Sequence, residues 1–417
     1  MPDHLNSDQL NSDPSNTDPA RLDASSAFPL NHEVIVVGGG PAGLAAAIGL
    51  ARAGVPTALV TGPERGVDQR TTALMEGSVQ ILSAYGVWER LAPHTAPLRD
   101  LRIVDATRRL MRAPEVTFRA AEIGLEAFGY NIENEALRGE LTTAALATPN
   151  LHIARASLTD VSVAGEAAQV ALDDGRTLTA RLVIAADGRQ SRVRQALGIG
   201  LKSQAYPQVA LTFTVAHTRP HEDISTEFHT ETGPFTLVPL PGLRSSIVCV
   251  VSEREAVTLL GLDDTALARE LERRAHSILG AFTLQPGRGA FPLSAETARS
   301  LVGERVALMA EAAHVMPPIG AQGLNLGLRD ADALVRAVGA AFAAGRDPGA
   351  TDLLASYERE RRLDIEGRMR AVDLLNRSLL SDLVPVQGLR GLGLYLLDRV
   401  GPLRRRLMRL GVGSQAA

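Results

Sequence analysis

Three glycines set between a strand and a helix constrain this chain more than any other feature. Gly38-x-Gly40-x-x-Gly43 follows Glu33-Val34-Ile35-Val36-Val37, a β-branched run of the kind buried on both faces of a parallel sheet. Residues 42–53 read as a helix and 57–60 as a second strand, so a βαβ unit opens within about 30 residues. Each glycine has its own physical reason. Gly38 permits the tight turn, Gly40 lets backbone approach a pyrophosphate, and Gly43 allows close packing of helix on strand. Pro41 and Ala42 start the helix, whose N–H groups and dipole then face the phosphates. The carboxylate expected for the ribose about 20 residues on is missing from the tip of the second strand, Leu59-Val60-Thr61. Glu64, just beyond, is a displaced candidate. Arg65 and Arg70 are the nearest cations, either contacting phosphate or ribose or standing as solvated loop arginines.

A chain of 417 residues with 45% hydrophobic and 22% charged residues can bury a sizeable core, which excludes disorder as its dominant state. The formal net charge of −4 gives no reason to expect nucleic acid as a partner. Cys249 is the sole cysteine, in the apolar run Ile247–Val251, so an intrachain disulfide or a cysteine-ligated metal site is excluded. A buried strand residue in a reduced, cytoplasmic setting is the expectation. Residues 1–32 lack a basic start and an apolar core and read as a disordered leader, not a secretory signal. The uncharged stretch from Val34 to Ala51 is long enough for a membrane span, but Gly38-Gly39-Gly40-Pro41 interrupts it, and strand-turn-helix describes it better.

Further along, residues 75–85 and 134–148 read as helices, the latter with Leu137, Leu141 and Ala145 on one face. From Leu151 the period changes to strands, with Asp173-Asp174-Gly175 as a hairpin turn and Leu182–Ala186 as another buried strand. Residues 203–252 form short apolar pieces of a mostly antiparallel sheet, followed by helices around 264–279. Residues 305–309 make one more strand, and 322–340, 352–378, 388–400 and 403–410 read as helical. The expected organisation is an α/β nucleotide-binding unit in discontinuous pieces, with a sheet-rich insertion and a helical tail.

Two distant motifs narrow the dinucleotide. Asp187-Gly188-x-x-Ser191-x-x-Arg194 puts a carboxylate at the end of a buried strand. The run from Ala310-Glu311 through His314, Pro317-Pro318, Gly320, Gln322-Gly323-Leu324-Asn325 to Ala331 links a strand to a helix through a proline- and glycine-fixed loop. In order and spacing the three motifs resemble the FAD-dependent aromatic hydroxylases of the para-hydroxybenzoate hydroxylase superfamily. The run from Gln322 to Ala331, Arg70–Leu74, Gly86-Val87-Trp88 and the tail from Gly388 to Gly411 are most similar to the ubiquinone-biosynthesis hydroxylases. The resemblance spans about residues 33–413.

The resemblance implies an α/β fold: a Rossmann-like FAD-binding domain in discontinuous pieces (33–202 and 301–345), a sheet-rich substrate domain inserted at 203–300, and a helical C-terminal region from 346 to 417. It implies bound FAD, with NAD(P)H and O2 as co-substrates and oxygen transfer through a flavin C4a-hydroperoxide. The implied cofactor residues are Gly38, Gly40, Pro41, Ala42 and Gly43; Arg70; Arg138, where the family has a flavin-facing arginine; and Asp187 and Gly188, which support FAD and a transient encounter with the pyridine nucleotide. In the third motif they are Glu311, Pro318, Gly320, Gln322, Gly323, Leu324 and Asn325. The family has Gly-Asp where this chain has Ala310-Glu311, so a longer side chain would reach for the ribityl chain. The N–H groups from Gly320 to Asn325, at a helix start, suit an anionic reduced ring. A histidine's unperturbed pKa lies near neutrality, which makes His314 the tempting base, yet its place in the motif is that of an orienting histidine, and no catalytic base is assigned.

His217-x-x-x-His221 with Glu222 and His229 imitates a metal site, but Pro220 denies it a helix, and no metal is expected. Between Gly388 and Leu410 stand six arginines (390, 399, 404, 405, 406, 409) against Asp398 alone, with leucines on the other faces. Such helices either dock on an anionic membrane, on its inner face, or cap the body. The expected function is hydroxylation of the ring of a polyprenyl phenol in ubiquinone biosynthesis, with a quinone-biosynthesis complex as a further partner. The alternatives are a hydroxylase of a small soluble aromatic and a non-catalytic flavin-binding subunit of such a complex.

Overall fold

Strands that read as unbroken apolar runs must be covered on both faces, and here they build a parallel sheet. In the computed structural model, which describes residues 28–63, 66, 68–107, 113–318, 320–380 and 400–412, this sheet runs Val306–Leu308, Thr177–Ala185, Asn31–Val37, Thr57–Thr61, Leu151–Arg155, all parallel. The leader up to residue 27, Glu64, Arg65 and the helix expected at 388–400 (save Val400) lie outside the described residues. The expected hairpin forms about Asp173–Gly175, pairing Ala167–Leu172 with Thr177–Ala185 and adding Leu158–Ala164 beyond it. The helix Pro41–Arg52 is alanine-rich because it is buried nearly all round, between the sheet and the helix Gln322–Ala343.

A second, nine-stranded sheet is antiparallel apart from one pair, and its core is Leu211, Phe213, Ile247, Cys249 and Val251 under the helices Glu253–Leu260 and Asp264–Arg274. Burial pushes the Cys249 thiol up to about 12. The segment 203–300 supplies most of this sheet. Asp100–Asp105 and Val116–Arg119 extend one edge, however, and His314–Val315 closes the other. The sheet thus gathers strands from three separate parts of the chain.

A small third sheet, Thr71–Met75, Gly129–Glu133 and Thr95–Pro97, bridges the two units. It reaches the second sheet through Thr71 Oγ1, which donates to Ser246 Oγ at 2.8 Å, and Asn131 Nδ2, which donates to Pro239 O at 2.8 Å. The imitation metal site is built into the second sheet by ordinary hydrogen bonds. His217 contacts Arg219 O and Ser245 Oγ, His221 contacts Leu240 O and Asp223 N, and His229 contacts Glu227. Among the described residues no three side chains are grouped to hold a metal.

The long helix Thr351–Leu380 packs on Gln322–Ala343. The last described helix, Gly401–Val412, docks by one face. Arg404 Nε lies 2.8 Å from Glu122 Oε2 with its guanidinium over Phe118, and Met408 and Val412 are buried beside Val116 and Phe128.

Candidate cofactor site

Three loops meet where parallel strands end, the edge at which open α/β sheets bind ligands. They follow Asn31–Val37, Thr177–Ala185 and Val306–Leu308.

In the first loop the three glycines separate by what surrounds them. Gly38, at φ +126°, donates its N–H to Val60 O, and an added Cβ would stand 2.1 Å from Ala186 O. A Cβ on Gly43 would stand 2.1 Å from Gly38 O. Both are glycine because protein packs against them. Gly40 differs: its φ of −75° suits any residue, and an added Cβ would meet nothing within 4 Å. It caps the helix Pro41–Arg52, whose first turn has no side-chain cap and no acidic residue. The first amides of this helix have no acceptor within it, and the open space beside Gly40 lies at its positive end, a cradle that a phosphate fits.

In the second loop Asp187 Oδ2 accepts the N–H groups of Arg192 (2.7 Å) and Val193 (3.2 Å), while Oδ1 is buried with no partner. Gly188 turns the chain at φ +86°. Arg194, 4% exposed, donates Nη1 to Ala312 O and Nη2 to Arg189 O, each at 2.8 Å, and so ties this loop to the third. It was visible in the sequence only as the last residue of its motif.

The third loop begins with Ala310 in the left-handed region at φ +51°. Glu311 is exposed on this turn and makes no hydrogen bond with a described residue. Its charge is felt by Arg70 and Arg189 across the opening. Arg70 lies on the same side, its guanidinium 2.7 Å by both nitrogens from Asp68 and 5.0 Å above the Phe291 ring. The Asp68 hydrogen bonds hold its pKa above the ordinary arginine value. Pro318 and Gly320 are exposed, and Gly323 has open space where its Cβ would be. Gln322 donates Nε2 to Gly320 O, and Leu324 packs on the main core.

Two candidates have side chains already engaged with protein. Asn325 is fully spent on protein: Oδ1 accepts from Met75 N–H (2.8 Å) and Ser78 Oγ (2.6 Å), and Nδ2 donates to Ala73 O and Ala321 O. It pins the small sheet to the helix start, leaving only its backbone to serve a ligand. Arg138 donates to Glu135 on its own helix, at 2.9 Å.

Beneath the loop lies a buried charge cluster. Asp330 Oδ2 is 2.6 Å from His314 Nε2 and accepts Ala310 N–H at 2.9 Å, while Oδ1 accepts from Arg361 Nε at 2.7 Å. Burial alone would raise the Asp330 carboxyl, but His314, Arg361 and the Ala310 amide together hold it below the usual carboxylate range. His314, 2% exposed, is held under the loop by Asp330 through Nε2, with Nδ1 buried and unpartnered. A carboxylate set among Leu326, Leu328, Ala331 and Leu334 was the readable signal for Asp330; nothing marked Arg361.

An open glycine cradle, an orphaned Asp187 oxygen and an unpaired Glu311 make a donor and acceptor set that fits a dinucleotide. The FAD binding domain family matches residues 31–371. The chain belongs to that family. Ubiquinone hydroxylase UbiL of Rhodospirillum rubrum is 36% identical, over 92% of this chain and 90% of that protein. The 3-demethoxyubiquinol 3-hydroxylase of Escherichia coli is 31% identical, over 91% and 98% respectively. The crystal structure of p-nitrophenol 4-monooxygenase PnpA from Pseudomonas putida superposes with a TM-score of 0.76 at 18% identity, covering 93% of this chain and all of that one, a likeness of fold. The protein is an FAD-dependent monooxygenase of the ubiquinone-hydroxylase family.

Replacing Glu311 tests its reach. A charge-assisted hydrogen bond is worth about 1.5–3 kcal/mol, so Glu311→Ala should weaken FAD binding roughly tenfold or more, and Glu311→Asp should keep or tighten it. Titration of apoprotein with FAD reads both, and unchanged affinity in the alanine variant shows that the carboxylate does not reach the cofactor. Gly40→Glu, which fills the cradle with a carboxylate, should abolish binding in the same titration.

Proposed function

We propose that the protein hydroxylates the aromatic ring of a polyprenyl phenol in ubiquinone biosynthesis, at a membrane surface. The observation that carries the reading is likeness to ubiquinone hydroxylases across nine-tenths of the chain, together with an outward face on the last described helix that suits lipid.

Reduced flavin, when bound, activates O2 for transfer of one oxygen atom to an electron-rich ring. The protein's share is binding, orientation and electrostatics. The helix start at Gly40–Gly43 would hold the pyrophosphate, Asp187 Oδ1 and Glu311 would accept hydrogen bonds from the sugar portions, and Arg70 would add positive charge at the rim. The amides from Gly320 to Gly323 open a helix without a side-chain cap. Their dipoles stabilise negative charge on the reduced ring. Pro318, exposed beside this helix start, would help to keep water from the ring. The ring substrate would approach from the side of the second sheet, which the small sheet joins to the cofactor loops through Thr71 and Asn131.

No helix among the described residues is long and apolar enough to cross a membrane. On Gly401–Val412 the inward face is taken by Arg404, Met408 and Val412, while Leu403, Leu407 and Leu410 are 48%, 46% and 65% exposed. Arg405, Arg406 and Arg409 are exposed beside them. Apolar side chains rimmed by arginines fit the interface of an anionic bilayer, where each arginine contributes about 1 kcal/mol.

A strain lacking the protein should accumulate a prenylated quinone precursor short of one hydroxyl, seen by lipid mass spectrometry; normal ubiquinone would sink the assignment. For the surface, Arg405→Glu, Arg406→Glu and Arg409→Glu combined should abolish sedimentation with anionic vesicles. Flavin content and turnover of a short-chain phenol should stay intact, because Arg404 still docks the helix. Unaltered sedimentation would show that the helix only caps the body.

A further inference from the structure

The loop of residues 309–323 is strained at both ends. Ala310 sits at φ +51° and Ala321 at φ +54°, left-handed conformations that crowd an alanine Cβ. Such residues persist only where their surroundings over-determine them. Here both ends are tied to one helix, Thr351–Leu380. At the near end, Arg361 Nε donates to Asp330 Oδ1 (2.7 Å), and Asp330 Oδ2 accepts Ala310 N–H (2.9 Å). At the far end, Arg368 Nη1 donates to Gln322 Oε1 (2.7 Å), and Gln322 Nε2 donates to Gly320 O (2.9 Å).

The two arginines lie two turns apart on one face of the helix, with Asp364 between them. Its carboxylate is 2.9 Å from Arg361 Nη2, 3.0 Å from Arg368 Nε and 2.9 Å from Arg329 Nε. Further along, Asp373 accepts from Tyr206 Oη at 2.9 Å on the strand Leu201–His217, so the helix is also fixed to the second sheet.

We propose that Arg361 and Arg368 are positioning residues that clamp the two ends of the cofactor loop, and that Arg368, through Gln322, sets the helix start against the flavin. The inference rests on the reading that residues 318–323 lie against the ring. Both arginines act through other side chains. Arg368 is the one to test, because removing Arg361 would leave Asp330 buried with a weakened ion pair and risk the fold. Arg368 is a fifth exposed and Gln322 half-buried, so their loss is tolerated. Releasing Gln322 would let the Gly320–Ala321 amides ahead of the helix shift against the ring, lowering FAD affinity and making the reduced anion harder to form.

The experiment is a double-mutant cycle on purified protein, read by FAD titration of apoprotein, the midpoint potential of the bound flavin, and apoprotein unfolding temperature. Arg368→Ala should weaken FAD binding about tenfold, the scale of one hydrogen bond to a charged group. It should also shift the potential to a more negative value, with little change in apoprotein unfolding. Gln322→Ala should give the same changes, and the double variant no more than either. Arg368→Lys, which can still donate to Gln322, should recover part of the affinity. Additive effects, or a lowered unfolding temperature with affinity and potential unchanged, overturn the clamp. If Gly40→Glu still abolishes binding in that case, the site stands and only the clamp falls; if FAD binding is indifferent to all of these changes, the site falls with it.

Discussion

A carboxylate with no exposure to solvent, Asp330, organises the part of this molecule that does chemistry. A buried charge is tolerated only when paired and hydrogen-bonded, and each of its partners belongs to a different segment: the Ala310 amide, the His314 ring and the Arg361 guanidinium. Satisfying Asp330 therefore brings the turn carrying Glu311, the strand His314–Val315 and the helix Thr351–Leu380 to one point. Because His314–Val315 is also an edge of the second sheet, the same point registers the second sheet against the parallel one. Arg194 does the equivalent work between the second and third loops, with its charge shared by two carbonyls.

The resulting opening is electrostatically divided. Uncapped helix starts at Gly40 and Ala321 present positive ends, and Arg70 and Arg189 add cations at the rim. Facing them stand two acceptors without protein partners, Asp187 Oδ1 and Glu311. Phosphates, sugar hydroxyls and a ring that gains negative charge on reduction would fit that division region by region, as the proposed reading of the site requires.

Much of the first sheet was legible in the sequence, because strands buried on both faces leave continuous β-branched runs and Asp173-Asp174-Gly175 can only be a turn. The second sheet was legible only in part. Every residue of Asp100–Asp105 is half-exposed, so no alternation betrays it as a strand. His314–Val315 is two residues long, below any periodic signal. At the site, the motif located all three loops but not the division of labour within them. The sequence assigned Gly38 to a turn and Gly40 to a phosphate, but not that Ala186 crowds the first while the second faces open space. Asn325 carries the motif and spends its amide on protein, whereas Arg361 and Arg368 sit on a charged helix where nothing distinguishes them from the solvated arginines beside them.

The central claim is that FAD occupies the opening framed by these three loops, and amide hydrogen exchange tests it most directly. Comparison of apoprotein with FAD-loaded protein should show slowed exchange in 38–44, 186–194 and 309–325, with the helices Glu253–Leu260 and Asp264–Arg274 unaffected. Protection that misses the three loops, or that falls on the second sheet and its helices instead, would contradict the account.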